Sequence, residues 1–267
     1  VPADNVRLSG FRVEGPSLGQ QTVDQFGIHV FRCVDVEISN MEVFGWGGAA
    51  VRVEDGGGDG PGQESPSNRP GDRIGRPTQV RIFNNYIHHN QHESTEENDG
   101  DWNPFTQHAA GYGVDVHHGA WAEIRENLFD HNRHAIAASG HAGGYDAIRN
   151  LVLKGGGYHG RAFNKWTHIL DIHGTGCIAY SCGRAAVQTW FTDNAVQYRN
   201  DNAIKIRGMP HIAANIAGNV FPHEGLEDDW GDDAIHLQTG QHVHIGSGNV
   251  IEFDSYGRYG VCDFDGD

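Results

Sequence analysis

The stretch GVDVHHGAWAEIRENLFDHNRHAIAAS, residues 113–139, contains the two patterns from which the fold can be predicted. Its two ends, GVDVH (113–117) and AIAAS (135–139), place apolar residues at alternate positions, as a strand with one buried face does. Between them, EIRENLFDHN (123–132) sets an asparagine between two short apolar segments. Asparagine tolerates the left-handed backbone of a sharp bend, and stacked asparagine side chains can form a hydrogen-bonded ladder. The stretch therefore predicts a repeating unit of strand, bend and strand.

The first of these patterns occurs eight times along the chain. Its copies are GIHVF (27–31), AVRVE (50–54), GVDVH (113–117), AIAAS (135–139), ILDIH (169–173), AVQTW (186–190), AIKIR (203–207) and AIHLQ (234–238). The asparagine pattern recurs between them, as EISNMEVF, RIFNNYIHHN, EIRENLFDHN, AIRNLVL, NIAGNVF and HIGSGNVIEF. Where no insertion intervenes, the period is roughly 20 to 25 residues, within the range of solenoids. Helical periodicity is nearly absent, so the patterns predict an all-β solenoid.

These repeats resemble the right-handed parallel β-helix of the pectate-lyase-like superfamily. The resemblance implies one domain over residues 1–262, with about eight or more turns, each stacked ~4.8 Å above the last. The C-terminal segment DFDGD (263–267) resembles the opening of a calcium loop of the FG-GAP type, in which alternate aspartates supply oxygen ligands. That second resemblance implies that a further module follows and that the protein is secreted.

Composition limits the classes of function. The formal charge of −16 makes a nucleic-acid partner unfavourable, because phosphate binding needs a basic surface. No apolar run approaches the ~20 residues of a membrane helix, so no membrane span is expected. The four cysteines lack the paired spacing of a structural zinc site, although Cys177 and Cys182 are close enough in sequence to form a disulfide. We expect a secreted monomer.

Stacking the eight first strands in register predicts which side chains face outward. Two alternate columns are almost wholly apolar and are expected to face the core: Ile28, Val51, Val114, Ile136, Leu170, Val187, Ile204 and Ile235, and Val30, Val53, Val116, Ala138, Ile172, Thr189, Ile206 and Leu237. The outward columns between them are His29, Arg52, Asp115, Ala137, Asp171, Gln188, Lys205 and His236, and Phe31, Glu54, His117, Ser139, His173, Trp190, Arg207 and Gln238. Histidine, aspartate, arginine and lysine are concentrated there, which predicts a functional face.

Long insertions at both edges of this face, residues 55–78, 91–112, 154–167 and 222–233, are expected to wall it into a groove. Such a groove suits an extended polysaccharide, because a repetitive sheet offers equivalent subsites along its axis. The predicted substrate contacts are Ser139, Gln188, Trp190, His236 and Gln238, with Trp190 as a platform on which a sugar ring stacks. Lys205 and Arg207 would neutralise the carboxylates of a uronate.

Three chemistries compete at this groove. In a lyase, His117, His173 or Lys205 would remove the proton α to a uronate carboxylate, and Arg207 would stabilise the resulting charge. In an inverting hydrolase, Asp115 and Asp171 would be the acid and the base. They lie two turns apart, ~9–10 Å between Cα atoms, which is compatible with a water between their carboxyl groups. The small Ala137 and Ser139 on the intervening turn leave a hollow between them.

The third chemistry uses a divalent metal, zinc or calcium. Asp115 and His117 from one turn and Asp171 and His173 from another would converge over the hollow, with His134 as a further ligand. His168 lies at the edge of its turn and is predicted to be outside the site. A non-catalytic polysaccharide-binding or adhesin module is the alternative to an enzyme. Catalysis is favoured over binding alone, because titratable groups are clustered on the face, and a lyase is favoured narrowly over a hydrolase.

Overall fold

The computed structural model of the chain describes residues 5–16, 25–33, 35–54, 79–91, 111–117, 119–139, 143–153, 168–174, 183–198, 202–223, 233–252 and 261–263. In these residues the protein is all-β, with 24 strands numbered β1 to β24 in chain order. They form three parallel sheets of eight strands each. The predicted all-β class is confirmed.

The three sheets are called sheet A, sheet B and the first-strand sheet. Sheet A contains β1 (Arg7–Ser9), β4 (Val36–Ser39), β7 (Gln79–Phe83), β10 (Trp121–Arg125), β13 (Gly144–Ile148), β16 (Gln188–Thr192), β19 (Ala213–Ala217) and β22 (Val243–Ile245). Sheet B contains β2 (Arg12–Glu14), β5 (Glu42–Phe44), β8 (Tyr86–His88), β11 (Leu128–Asp130), β14 (Leu151–Val152), β17 (Ala195–Val196), β20 (Val220–Phe221) and β23 (Val250–Ile251). The first-strand sheet contains β3 (Phe26–Phe31), β6 (Ala49–Glu54), β9 (Tyr112–His117), β12 (His134–Ser139), β15 (Leu170–His173), β18 (Ile204–Arg207), β21 (Ile235–Leu237) and β24 (Val261–Asp263).

The chain visits sheet A, sheet B and the first-strand sheet in that order and then repeats the cycle. Each strand pairs in parallel with the strand three places further along the chain, as β9 does with β12 and β12 with β15. Neighbouring turns therefore stack directly on one another. This is the strand order expected of a parallel β-helix.

The core lies inside the coil and is built from the predicted inward columns. Val51, Val114, Ile136, Leu170 and Ile204 are each 0% exposed. Isoleucines of sheet A, such as Ile82 and Ile124, reach the same core from another side. β-branched residues suit this position because they pack well on a pleated, buried surface.

An asparagine ladder lines the bend between sheets A and B. It joins Asn85, Asn127, Asn150, Asn194, Asn219 and Asn249. Each side chain from Asn85 to Asn219 donates to the asparagine of the next turn, which confirms the predicted stacking. The left-handed backbone, however, belongs to the residue before each ladder asparagine, such as Glu126 at φ 57° and Arg149 at φ 52°. One residue therefore adopts the left-handed bend, and the asparagine that follows it forms the hydrogen bonds of the ladder.

One of the eight predicted first strands is assigned to the wrong sheet. Residues 186–190 do not lie in the first-strand sheet, because β15 pairs directly with β18, with Asp171 opposite Lys205 and His173 opposite Arg207. Residues Gln188–Thr192 form β16 of sheet A, between β13 and β19. The eighth strand of the first-strand sheet is instead β24, which pairs with β21.

Several predictions fall outside the described residues. They concern most of the four insertions, the disulfide between Cys177 and Cys182, and residues 264–267 of the acidic tail. Asp263, the first residue of that tail, ends β24 opposite Leu237. No helix in the described ranges is both long and apolar enough to cross a membrane.

Candidate functional site

A corner at the start of each first strand decides which side chains face outward. At this corner Gly113, Ala135 and Ile169 occupy equivalent positions that point into the coil. A Cβ on Gly113 would come within 3.0 Å of the Phe129 ring, and Ala135 and Ile169 are core residues. The next residue of each strand also points inward, so the alternation is interrupted there. The residue before each corner position, His168 in the case of Ile169, therefore lies on the outside of the coil.

Three consecutive turns, β9, β12 and β15, thus present three outward residues each. We call this set the histidine face, and it consists of Tyr112, Asp115, His117, His134, Ala137, Ser139, His168, Asp171 and His173. Ala137 lies at its centre, with Asp115 and Asp171 as its partners on the two neighbouring strands. The two aspartates are therefore two turns apart, as predicted, with small side chains between them.

Asp115 ends a chain of charged side chains that crosses the three turns of β3, β6 and β9. Its carboxylate is 0% exposed, and Oδ2 accepts a hydrogen bond of 2.9 Å from Arg52. Arg52 also donates to Glu54 at 2.7 Å, and the other oxygen of Glu54 lies 2.6 Å from Nε2 of His29. Burial opposes ionisation of Glu54, but Arg52 and His29 together lower its pKa to about 2. Asp115 and Glu54 are thus both hydrogen-bonded to one guanidinium, that of Arg52.

His117 connects Asp115 to Ser139. Its Nε2 lies 2.7 Å from Oδ1 of Asp115, and its Nδ1 is 2.7 Å from Oγ of Ser139. A ring nitrogen this close to a carboxylate oxygen carries the proton, because two lone pairs would repel each other. Nδ1 is then the acceptor, and the hydroxyl of Ser139 donates to it. Oδ1 of Asp115 nevertheless lacks an aligned hydrogen-bond partner.

Asp171 is buried, 2% exposed, and is paired with Arg207 of the next turn. Nε of Arg207 donates to Oδ1 at 3.3 Å, and Nη2 donates to Oδ2. Burial favours the protonated acid, but the charge of Arg207 and the imidazoles of His168 and His173 hold the pKa of Asp171 well below its usual range. Asp171 is therefore a carboxylate whose function includes fixing the guanidinium of Arg207.

His173 is an uncharged imidazole at neutral pH. Burial lowers its pKa from 6.5 to about 4; Asp171 opposes this shift and Arg207 adds to it. His173 lies opposite Arg207 of β18 on one side and Ser139 of β12 on the other. Lys205 lies two residues before Arg207 on β18, opposite Asp171 of β15 on one side and His236 of β21 on the other. A neutral base and two cationic side chains are thus neighbours on adjacent turns.

His168, predicted to lie at the edge of its turn and outside the site, lies beside the other residues of the histidine face. His168 is 2% exposed and stacks on His134, with 5.6 Å between ring centroids. Its imidazole is close enough to Asp171 and His173 to influence their pKa values. Nδ1 of His134 donates to the backbone carbonyl of His168, and burial lowers the pKa of His134 well below its usual value. All three members of the sequence His168-x-x-Asp171-x-His173 therefore belong to the histidine face.

Two further residues were not predicted as part of the site. Tyr112 stacks on His134 at 5.3 Å, and its hydroxyl accepts a hydrogen bond of 3.4 Å from Arg133. Arg133 influences the pKa of both His134 and His173, so it lies near the same cluster. The position of Tyr112 directly before Gly113, equivalent to that of His134 before Ala135, was the available signal in the sequence.

The remaining predicted substrate contacts divide between two faces. His236 lies beside Lys205, with Nδ1 3.5 Å from the Asp233 carboxylate, and Gln238 follows directly after β21. Gln188 and Trp190 lie on sheet A, where Trp190 is 39% exposed between Asp146 and Asn215. They are therefore separated from the histidine face, and the predicted stacking platform does not belong to it.

Each of the two aspartates predicted as metal ligands is paired with an arginine. Asp115 is bound by Arg52 and Asp171 by Arg207. Within the described ranges, no three histidine, cysteine, aspartate or glutamate side chains are arranged so that they could hold a metal ion. What the described face offers is two carboxylates paired with guanidinium groups, and the imidazoles of His134 and His173, whose pKa values burial lowers.

Comparison with known proteins does not assign a family. No family model matches the chain, and neither a curated protein nor a solved structure does so. The geometry of the histidine face is thus the basis for any functional assignment.

Proposed function

We propose that the protein is a secreted polysaccharide lyase of the right-handed β-helix type, which cleaves a uronate-containing polymer by β-elimination on the histidine face. The observation that carries this proposal is the pairing of His173 with Arg207 on adjacent strands. Elimination from a uronate requires a base for the proton α to the carboxylate and a positive charge beside that carboxylate. His173 and Arg207 supply these two groups one strand spacing apart, ~4.8 Å.

His173 is the base in this proposal. Since its pKa is about 4, nearly every molecule has an unprotonated imidazole at neutral pH. The imidazole takes the proton from C5 of the uronate, the electron pair forms the C4–C5 double bond, and the C4–O bond breaks. The departing glycosidic oxygen takes up a proton, which the protonated His173 returns in this proposal.

Arg207 binds the uronate carboxylate. Asp171 engages Nε and Nη2, so the guanidinium is held with Nη1 on the side away from Asp171. A planar guanidinium can bind a second carboxylate along another edge, because it has five N–H donors. Asp171 is then a positioning residue, and Lys205, opposite it on β18, adds a second positive charge.

The inverting hydrolase is less compatible with this electrostatics. General acid catalysis by one of the two aspartates needs a protonated carboxyl group at working pH. Arg207 holds Asp171 ionised, and the carboxylate of Asp115 is engaged by Arg52. The two-turn separation suits a hydrolase, but an ionised Asp171 could act only as the base, and Asp115, the remaining candidate for the acid, is paired with Arg52.

A panel of uronate polymers, assayed for ultraviolet absorbance and for new reducing ends, tests the proposal. The wild type should release unsaturated products from at least one polymer, and His173→Gln should abolish this release. His244→Ala, which alters an exposed histidine on sheet A, is the matched control and should retain it. Reducing ends without absorbance would replace the lyase by a hydrolase. Retention on a polymer without any cleavage would instead favour the adhesin.

A further inference from the structure

Ser139, His117 and Asp115 form a second chemical group on the histidine face, distinct from His173 and Arg207. The hydroxyl of Ser139 is 2.7 Å from Nδ1 of His117, and Nε2 of His117 is 2.7 Å from Asp115. A hydroxyl bonded to an imidazole that is oriented by a carboxylate is the arrangement that activates a serine nucleophile. We call these three residues the serine relay. Such a group is recognised by the geometry and the roles of its three side chains, and not by their positions in the sequence.

The buried carboxylate of Asp115 can stabilise the protonated form of His117. Its carboxylate is fully buried, Oδ2 is bound by Arg52, and Oδ1 has no aligned hydrogen-bond partner. When His117 accepts a proton at Nδ1, the positive charge of the imidazolium lies next to Oδ1, because Nε2 is 2.7 Å from that oxygen. Asp115 therefore stabilises the charged state of His117 more than the neutral one, which is the condition for lowering a barrier.

Ser139 and His117 are both accessible from outside the coil. Ser139 is only partly buried, and the side chain of His117 is 23% exposed. His173 lies opposite Ser139 on the next strand. Its imidazole N–H is a candidate donor to a developing oxyanion.

We propose that Ser139 is the nucleophile of a serine esterase site that removes small acyl groups, such as acetyl, from an alcohol oxygen. Oγ of Ser139 attacks the ester carbonyl, and its proton passes to Nδ1 of His117. The C–O bond to the alcohol breaks, and Nδ1 returns the proton to the leaving oxygen. Water then attacks the acyl-serine and gives a proton to Nδ1. The bond between Oγ and the acyl carbon breaks, Nδ1 returns the proton to Oγ, and the carboxylic acid is released from the regenerated Ser139. This inference does not depend on the proposed lyase reaction.

A fluorophosphonate probe tests the nucleophile without any knowledge of the natural substrate. The probe forms a bond to an activated serine and loses fluoride, so intact-mass analysis should show one added group, mapped to the peptide that contains Ser139. Ser139→Ala should remove the labelling and the hydrolysis of p-nitrophenyl acetate. Ser247→Ala, on an exposed turn after β22, is the matched control and should keep both.

The rates of labelling test the relay. His117→Ala should slow labelling of Ser139 by about 100-fold or more, because it removes the general base. Asp115→Asn should slow it by at least roughly ten-fold, since the amide cannot stabilise the imidazolium as the carboxylate does. Circular dichroism establishes that each variant is folded. An unlabelled wild type, or equal labelling of the wild type and Ser139→Ala, would overturn the inference, whatever the polymer assay shows.

Discussion

Asn150, in the middle of the ladder between sheets A and B, should be among the polar residues most important for stability. Its Oδ1 accepts from the backbone N–H and from Nδ2 of Asn127, at 3.1 Å each. Its Nδ2 donates to the carbonyl of Ile124 at 2.9 Å and to Oδ1 of Asn194 at 3.0 Å. Asn150→Ala removes all four hydrogen bonds in a site that is 2% exposed.

The cost of this substitution can be worked from the partners. Oδ1 of Asn194 keeps the backbone N–H of residue 150, and Nδ2 of Asn127 keeps two carbonyl acceptors. The backbone N–H of Asn127, in contrast, loses the acceptor that Asn150 provides. One orphaned buried donor costs about 1–3 kcal/mol and each other lost bond about 0.5–1.5 kcal/mol, so we expect a loss of about 4 kcal/mol. In a domain of this size that corresponds to a melting temperature lower by about 10 °C.

Urea unfolding followed by circular dichroism measures this loss, with Asn249→Ala as the matched control. Asn249 also accepts two hydrogen bonds and donates two, but it ends the described ladder in a partly exposed position, where water can replace the amide. We expect about 1 kcal/mol there. If the free energies of unfolding of the two variants agree within about 0.5 kcal/mol, the buried ladder does not carry the stability assigned to it.

Three predictions concern proton binding. If His173 is the base, kcat/KM should be constant from neutral pH downward and fall only as the pH passes through about 4, where the imidazole is protonated; a limb near 6.5 would contradict its burial. The pKa of His173 is lower in the folded state than the ordinary 6.5, so the free energy of unfolding should fall as the pH falls from 6.5 to 4. Urea titrations should show a loss of about 2 kcal/mol in this free energy between pH 7 and 5. The loss should be absent in His173→Gln. The pKa of Glu54 is lowered from 4.5 to about 2, so its carboxylate stabilises the fold above pH 4.5 and this stabilisation is lost as the pH falls towards 2. The melting temperature of Glu54→Gln should therefore fall less steeply with pH in that window than that of the wild type. An equal dependence of melting temperature on pH in the two proteins would contradict the ion pair.

The sequence was sufficient for the sheet but not for every strand in it. Alternation identified the inward columns, because a shift of one residue would expose apolar side chains such as Val51, Val114 and Ile136, which are fully buried. The segment AVQTW (186–190) failed this test because strands of all three sheets alternate in the same way. The residues directly after the strand distinguish sheet A from the other two sheets. After β16, Asp193 has φ 56° and Asn194 belongs to the asparagine ladder. A strand followed by this bend belongs to sheet A.

The pairing of charges between turns could not be predicted from the sequence. Arg52 and Asp115 lie on adjacent strands but are 63 residues apart in the sequence, because two of the four insertions, 55–78 and 91–112, lie between β6 and β9. The outward columns contained both residues, yet the same columns allowed Asp115 to be a metal ligand or an acid. Only the distances between side chains decide that each aspartate is bound by an arginine.

His168 shows where alternation stops being a sufficient rule. Counting every second residue from Leu170 places His168 on the inside, and allowing for the strand end places it at the edge. In the structure Ile169 and Leu170 both point inward, 2% and 0% exposed, because the chain turns a corner there. Gly113, Ala135 and Ala203 hold the equivalent position on other turns, and these small residues were the signal for a crowded corner. A column of small residues directly before an alternating strand therefore predicts an additional outward residue, and on this coil that residue places His168 beside Asp171 and His173.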